Sequence, residues 1–108
     1  MKNWRDSYDN AGDYHDGRAW VRKGRKSGHV DITGVVTTPV IYDNAGDYHD
    51  GRAWVRLGRK SGHVDITGVV TTPVIYDNAG NYYDGRAWVR LGDEYGHVDK
   101  SGVIKWDV

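Results

Sequence analysis

The sequence predicts an all-β protein of three tandem 34-residue meander units, stacked as an open, solenoid-like array. Three observations carry that expectation. YDNAGDYHDGRAWVR begins at Tyr8 and again at Tyr42, and YDNAGNYYDGRAWVR begins at Tyr76, a period of 34 in both steps. The apolar content is β-branched and aromatic: 14 Val, 5 Ile, 5 Trp and 8 Tyr, with only two Leu and no Phe. That mix suits a pleated, half-buried surface. Five glycines in each of the first two units argue against the paired helices that a period near 34 otherwise suggests.

The 108 residues divide into a cap segment at 1–7 and repeats at 8–41, 42–75 and 76–108, the last with its own C-terminal cap, all in one domain. Units 8–41 and 42–75 differ only where Lys23 stands against Leu57, and the third unit keeps 22 of its 33 residues in common with the second. Each unit reads as three strands. Arg18–Arg22 comes first, with a turn at Gly24, then Gly28–Asp31, then Val35–Ile41. Asp31 and Gly34 bracket a type I turn closed by a left-handed glycine. The Asp-, Asn- and Gly-rich stretch Tyr42–Gly51 reads as the connecting loop. Pro39 and Pro73 cannot donate to a ladder, so the third strand should be an edge or bulged strand near them. The rival architecture is a closed threefold ring or prism, which would bring Lys23 towards Lys100.

Tyr42, Asp43, Ala45, Tyr48, Gly51, Ala53, Val55, Gly62, Val64, Asp65, Gly68 and Pro73 fall on the spacing of a known pattern, and the unit resembles the WG repeat family. The resemblance spans nearly the whole chain and implies a β-hairpin repeat of a kind often found in surface-associated proteins. Two features depart from it. The name-giving Trp is Ser27, Ser61 or Tyr95, and a Leu of the pattern is Arg18, Arg52 or Arg86. A Trp stands two places later instead, at Trp20, Trp54 and Trp88. The near-identity of two units points to recent duplication or to an engineered consensus array, engineering being the favoured origin.

Ile32 and Ile66 occupy a turn position that is Lys100 in the last unit, and Leu57 and Leu91 occupy a strand end that is Lys23 in the first. Selective replacement predicts that Leu faces the preceding unit and Ile the following one. Ile32 would then meet Leu57, Ile66 would meet Leu91, and Lys23 and Lys100 would cap the two ends.

Alternation puts Arg18, Trp20 and Arg22 on one strand face, a stripe repeated as Arg52, Trp54, Arg56 and Arg86, Trp88, Arg90. Such a stripe is the candidate ligand surface, able to stack on sugars or attract anionic chains. The competing expectation is that Trp packs between units while Arg pairs with Asp16, Asp50 or Asp84. Asp13, His15 and Asp16, with Asp47, His49 and Asp50, match no calcium or zinc spacing, and Asn81 and Tyr83 replace two of the three groups in the last unit. These read as turn residues, and no metal or cofactor is expected. His29, His63 and His97 are expected to pack across strands.

Three copies of every feature argue against an enzyme, which needs one asymmetric constellation. Lys plus Arg equals Asp plus Glu at 15 each, so charge alone predicts neither a nucleic-acid nor a membrane partner. Cysteine is absent, which removes disulfide and thiolate chemistry. Nothing in the composition assigns a compartment. Segment charges run from +1 over 1–7 and 8–41, through 0, to −2 over 76–108, which leaves head-to-tail self-association open. The expected function is a non-catalytic repeat scaffold presenting Arg, Trp and Tyr. The alternative is a polysaccharide or cell-wall binding module with one aromatic site per repeat, and a weaker third is a nucleic-acid binder.

Overall fold

The computed structural model describes residues 3–107. A short 3-10 helix, Trp4–Ser7, leads into the first sheet, with the Asn3 side chain accepting from the Arg5 N–H at its start. That sheet holds β1 (Asn10–Ala11), β2 (Arg18–Lys23), β3 (Lys26–Asp31) and β4 (Val36–Tyr42). The second holds β5 (Asn44–Ala45), β6 (Arg52–Leu57), β7 (Lys60–Asp65) and β8 (Val70–Tyr76). The third holds β9 (Asn78–Ala79), β10 (Arg86–Leu91), β11 (Glu94–Asp99) and β12 (Ile104–Trp106). Every sheet is an antiparallel meander in chain order, four-stranded rather than three-stranded.

The additional strand lies inside the stretch read as a loop. Asp9 N–H donates to Arg22 C=O and Gly12 N–H to Trp20 C=O, so the two residues between them are drawn into register with β2. Polar turn-forming residues masked that ladder. At the other end of the same stretch, Asp16 and Gly17 both take positive φ, 54° and 76°, and His15 and Arg18 exchange both backbone hydrogen bonds across them. This is an Asp-Gly hairpin turn of the type whose central residues are both left-handed.

The turn after β3 follows its residues. Asp31 C=O accepts from Gly34 N–H, Gly34 has φ 88°, and the Asp31 carboxylate accepts from Thr33 N–H, Thr33 hydroxyl and Val35 N–H. Pro39 sits on β4, an edge strand whose pairing with β3 shifts register between Ser27 and Val30, as expected of a strand carrying proline.

One face of each sheet is small and apolar. Ala53, Val55 and Val64 are buried with Tyr42, Ala45 and Tyr48, which arrive from the segment before β6. Ala87, Val89 and Val98 gather Tyr76, Ala79 and Tyr82 in the same way. In the first repeat Ala19, Val21 and Val30 pack with Trp4, Tyr8, Ala11 and Val40. The core is therefore three thin clusters in a row. Contacts join β3 to β5, β4 to β6, β7 to β9 and β8 to β10, each repeat to its neighbour. The molecule measures 54 × 26 × 18 Å. It is an open array, and the closed ring or prism is excluded.

Candidate functional site

The hairpin at Gly24 pairs Lys23 with Lys26, and that register places Trp20 opposite His29 on one face of the sheet. The same pairing recurs as Trp54 with His63 and Trp88 with His97. This Trp–His face receives the next repeat. Trp20 packs, half-buried, against the cluster of the second repeat, and Trp54 against that of the third.

Polar groups lock each seam. His29 Nε2 donates to Gly46 C=O at 2.7 Å, and its ring meets Tyr48 edge-on at 4.6 Å between centroids. His63 treats Gly80 C=O and Tyr82 alike, at 2.7 Å and 4.8 Å. Because a carbonyl can only accept, both imidazoles are held as the Nε2–H tautomer. Burial, only partly opposed by the Gly46 or Gly80 hydrogen bond, pushes both imidazoles down to about 4 from 6.5. The Tyr48 hydroxyl lies 3.2 Å from Thr38 Oγ1 and donates to Asp65 C=O at 2.6 Å.

The arginines of the stripe serve the same seams through backbone carbonyls. Arg22 donates to Asp43 C=O at 3.1 Å and Arg56 to Asp77 C=O at 3.3 Å. Arg18 Nε donates to Ile66 C=O at 2.9 Å, and Arg52 to Lys100 C=O at 3.3 Å. The expectation that these arginines pair with Asp16 or Asp50 is not met, because those carboxylates accept the N–H groups of Gly51 and Gly85 in the following repeat. Asp43 ties the hairpin tip of its own repeat to the preceding repeat. Its carboxylate accepts Gly58 N–H at 2.6 Å and Lys26 Nζ at 3.0 Å, and those two contacts hold it below the usual carboxylate range.

These seams fall on a recognised unit. A model described as the WG containing repeat matches residues 7–26, 28–60 and 62–95. The chain belongs to that family. No curated protein and no solved structure matches it. In these WG repeats the strand Trp two places after Arg18 or Arg52 packs at the seam, while Ser27 and Ser61 are buried where the family pattern has Trp.

The expected Ile–Leu contacts are not what joins the repeats. Leu57 sits at the hairpin tip of β6 and β7, opposite Lys60, while Ile32 follows Asp31 at the other end of the strands. Hairpin tips line one edge of the stack, since Lys26 and Gly58 share Asp43. The Asp31 and Asp65 turns line the other edge, where Arg18 meets Ile66. The Ile66 carbonyl accepts from Arg18 of the preceding repeat, and the residue is 42% exposed against 70% for Ile32 in the first repeat. Leu57 and Leu91 stay exposed at 44% and 39%.

Lys100 is not an outward cap. Its Nζ lies 2.8 Å from Asp50 Oδ1, an ion pair across the second seam, and Asp50 is held low chiefly by that contact. Lys23 is an exposed strand end beside Lys26. His15 approaches Asp47 at 3.6 Å and His49 at 5.9 Å between rings, and among the described residues no group of three His, Cys, Asp or Glu could hold a metal.

The third repeat differs. Arg86 is exposed and Arg90 turns to Gly92 C=O of its own hairpin. Trp88, 39% exposed, lines a cleft of about 420 Å³ with Asn81, Tyr83, Asp84, Arg86 and His97. Sequence reasoning missed the buried imidazoles as seam donors. The signal was present, because a two-residue turn at Gly24 forces Trp20 opposite His29.

Proposed function

We propose that this chain is a non-catalytic scaffold whose Arg/Trp stripe is the adhesive between repeats. The observation that carries this reading is the packing of Trp20 and Trp54 against the clusters of the next repeats. Their indoles supply aromatic area to the seams, and the flanking guanidinium groups donate to carbonyls of the neighbouring repeat. The paired histidines hold their Nε2 protons on carbonyls, a use that leaves no general base at those atoms. Two units that differ at one residue support an array assembled by engineering from one copied unit.

The polysaccharide reading draws most support from the cleft where Trp88 is exposed beside Tyr83, itself 85% exposed. Trp20 and Trp54 instead share one further cleft of about 330 Å³ with Asp47 and His49, so the repeats do not each carry an equivalent aromatic site. Calorimetric titration with a panel of soluble polysaccharides separates the two readings. The scaffold reading expects no saturable heat at any concentration tried. Saturable binding at one site, abolished by Trp88→Ala with the fold intact, would put the binding module in its place.

A further inference from the structure

We propose that the array is closed to head-to-tail growth at both ends, by an imitation of a repeat at the front and a rebuilt face at the rear. The two internal seams define what a following repeat requires from the one before it: a Trp against its cluster, a donor to its Gly carbonyl, an aromatic partner for its Tyr and a cation for its Asp.

At the front, the 3-10 helix provides three of these. Trp4 packs against Ala19, Val21 and Val30, where Trp20 and Trp54 serve the later repeats. Arg5 donates to Gly12 C=O at 3.1 Å, the hydrogen bond that His29 and His63 make to Gly46 and Gly80. Tyr14, the counterpart of Tyr48, meets Trp4 edge-on at 6.1 Å and lies under the Arg5 guanidinium at 5.6 Å. Two adjacent side chains thus occupy the site that a second copy would need.

At the rear, the acceptor positions are changed. Glu94 stands where Lys26 and Lys60 pair with Asp43 and Asp77, so an incoming Asp9 would meet a like charge. Tyr95 replaces a buried Ser and lies 6.4 Å from Trp88 between ring centroids. Trp106 replaces the buried Thr38 or Thr72, and β12 pairs with β11 without the register shift of β4, carrying that indole across Gly96. Asp107 replaces the proline, and its carboxylate sits 3.3 Å from His97 Nδ1. Trp88, Asp84, Arg86 and His97 keep the identities of the internal seam, so the rear face is a seam surface altered at selected points.

The test opens one end at a time in the full chain. The front variant is Trp4→Ala with Arg5→Ala. The rear variant is Glu94→Lys, Tyr95→Ser, Trp106→Thr and Asp107→Pro, which restores the internal residues at these four positions. Light scattering after size exclusion should give the 12.2 kDa monomer for the parent chain and for each variant alone. An equimolar mixture should give a species of twice that mass. A variant carrying both sets should form longer chains as concentration rises. Where either set loses its near-UV circular dichroism, Arg5→Ala and Glu94→Lys alone replace it and the same masses are read. Self-association of the parent, of the front variant alone or of the rear variant alone overturns the proposal. A mixture of folded variants that remains monomeric also overturns it.

Discussion

Acidification from about pH 7 to about pH 5 should loosen the stack through two residues, His29 and His63. Both are fully buried, and burial lowers each from 6.5 to about 4. The unfolded chain binds the proton first, so the stability these groups contribute is present above 6.5 and is lost as pH falls towards 4. The full gap is worth about 3 kcal/mol per imidazole, of which about 2 kcal/mol is lost by about pH 5. The pair then costs about 4 kcal/mol, a large share of the roughly 5–15 kcal/mol that holds a domain folded. Urea unfolding followed by near-UV circular dichroism at a series of pH values measures it directly. The carboxylates of Asp31, Asp43, Asp50, Asp65, Asp77 and Asp99 lie below their ordinary value of 3.8, so their contribution is lost at lower pH than that of the imidazoles. His29→Gln together with His63→Gln should flatten the stability profile between 6.5 and 4, whatever it does to stability at neutral pH. An unfolding free energy unchanged between about pH 7 and pH 5, or the same acid loss in the double variant, would refute the reasoning.

Trp54→Ala should cost about 2 kcal/mol or more in urea unfolding because its indole seals the second seam, whereas Trp88→Ala at the open face should cost less than about 1 kcal/mol. Tyr48→Phe leaves Asp65 C=O and Thr38 Oγ1 without the hydroxyl and should lower stability by about 1–2 kcal/mol, with the ring packing on His29 retained. Leu57→Lys, at an exposed hairpin tip, should shift the unfolding free energy by no more than about 0.5 kcal/mol, and a loss several times larger would restore Leu57 to the seam.

The sequence by itself determined the period, the three long strands of each unit, the Asp31 and Asp65 turns and the irregular proline strand. These follow from local chemistry: β-branched alternation, a carboxylate that hydrogen-bonds its own backbone, a left-handed glycine, an imino acid without a donor. Alternation also placed Arg18, Trp20 and Arg22 on one face. It could not say whether that face meets solvent or another repeat, since both faces of a strand read alike until something covers one. Only the tertiary structure decided that Trp20 and Trp54 pack on the following repeat and Trp88 does not. The same limit left the Ile66 carbonyl to meet Arg18 of the preceding repeat and turned Lys100 into a seam residue. Substitution between units shows which positions sense a neighbour, but the side on which that neighbour lies depends on how the segment before each sheet folds over the next cluster. That packing is made by Gly46, Tyr48 and Asp43 meeting residues 17 positions earlier or more, contacts set by the stacking of whole sheets and not by the local chain.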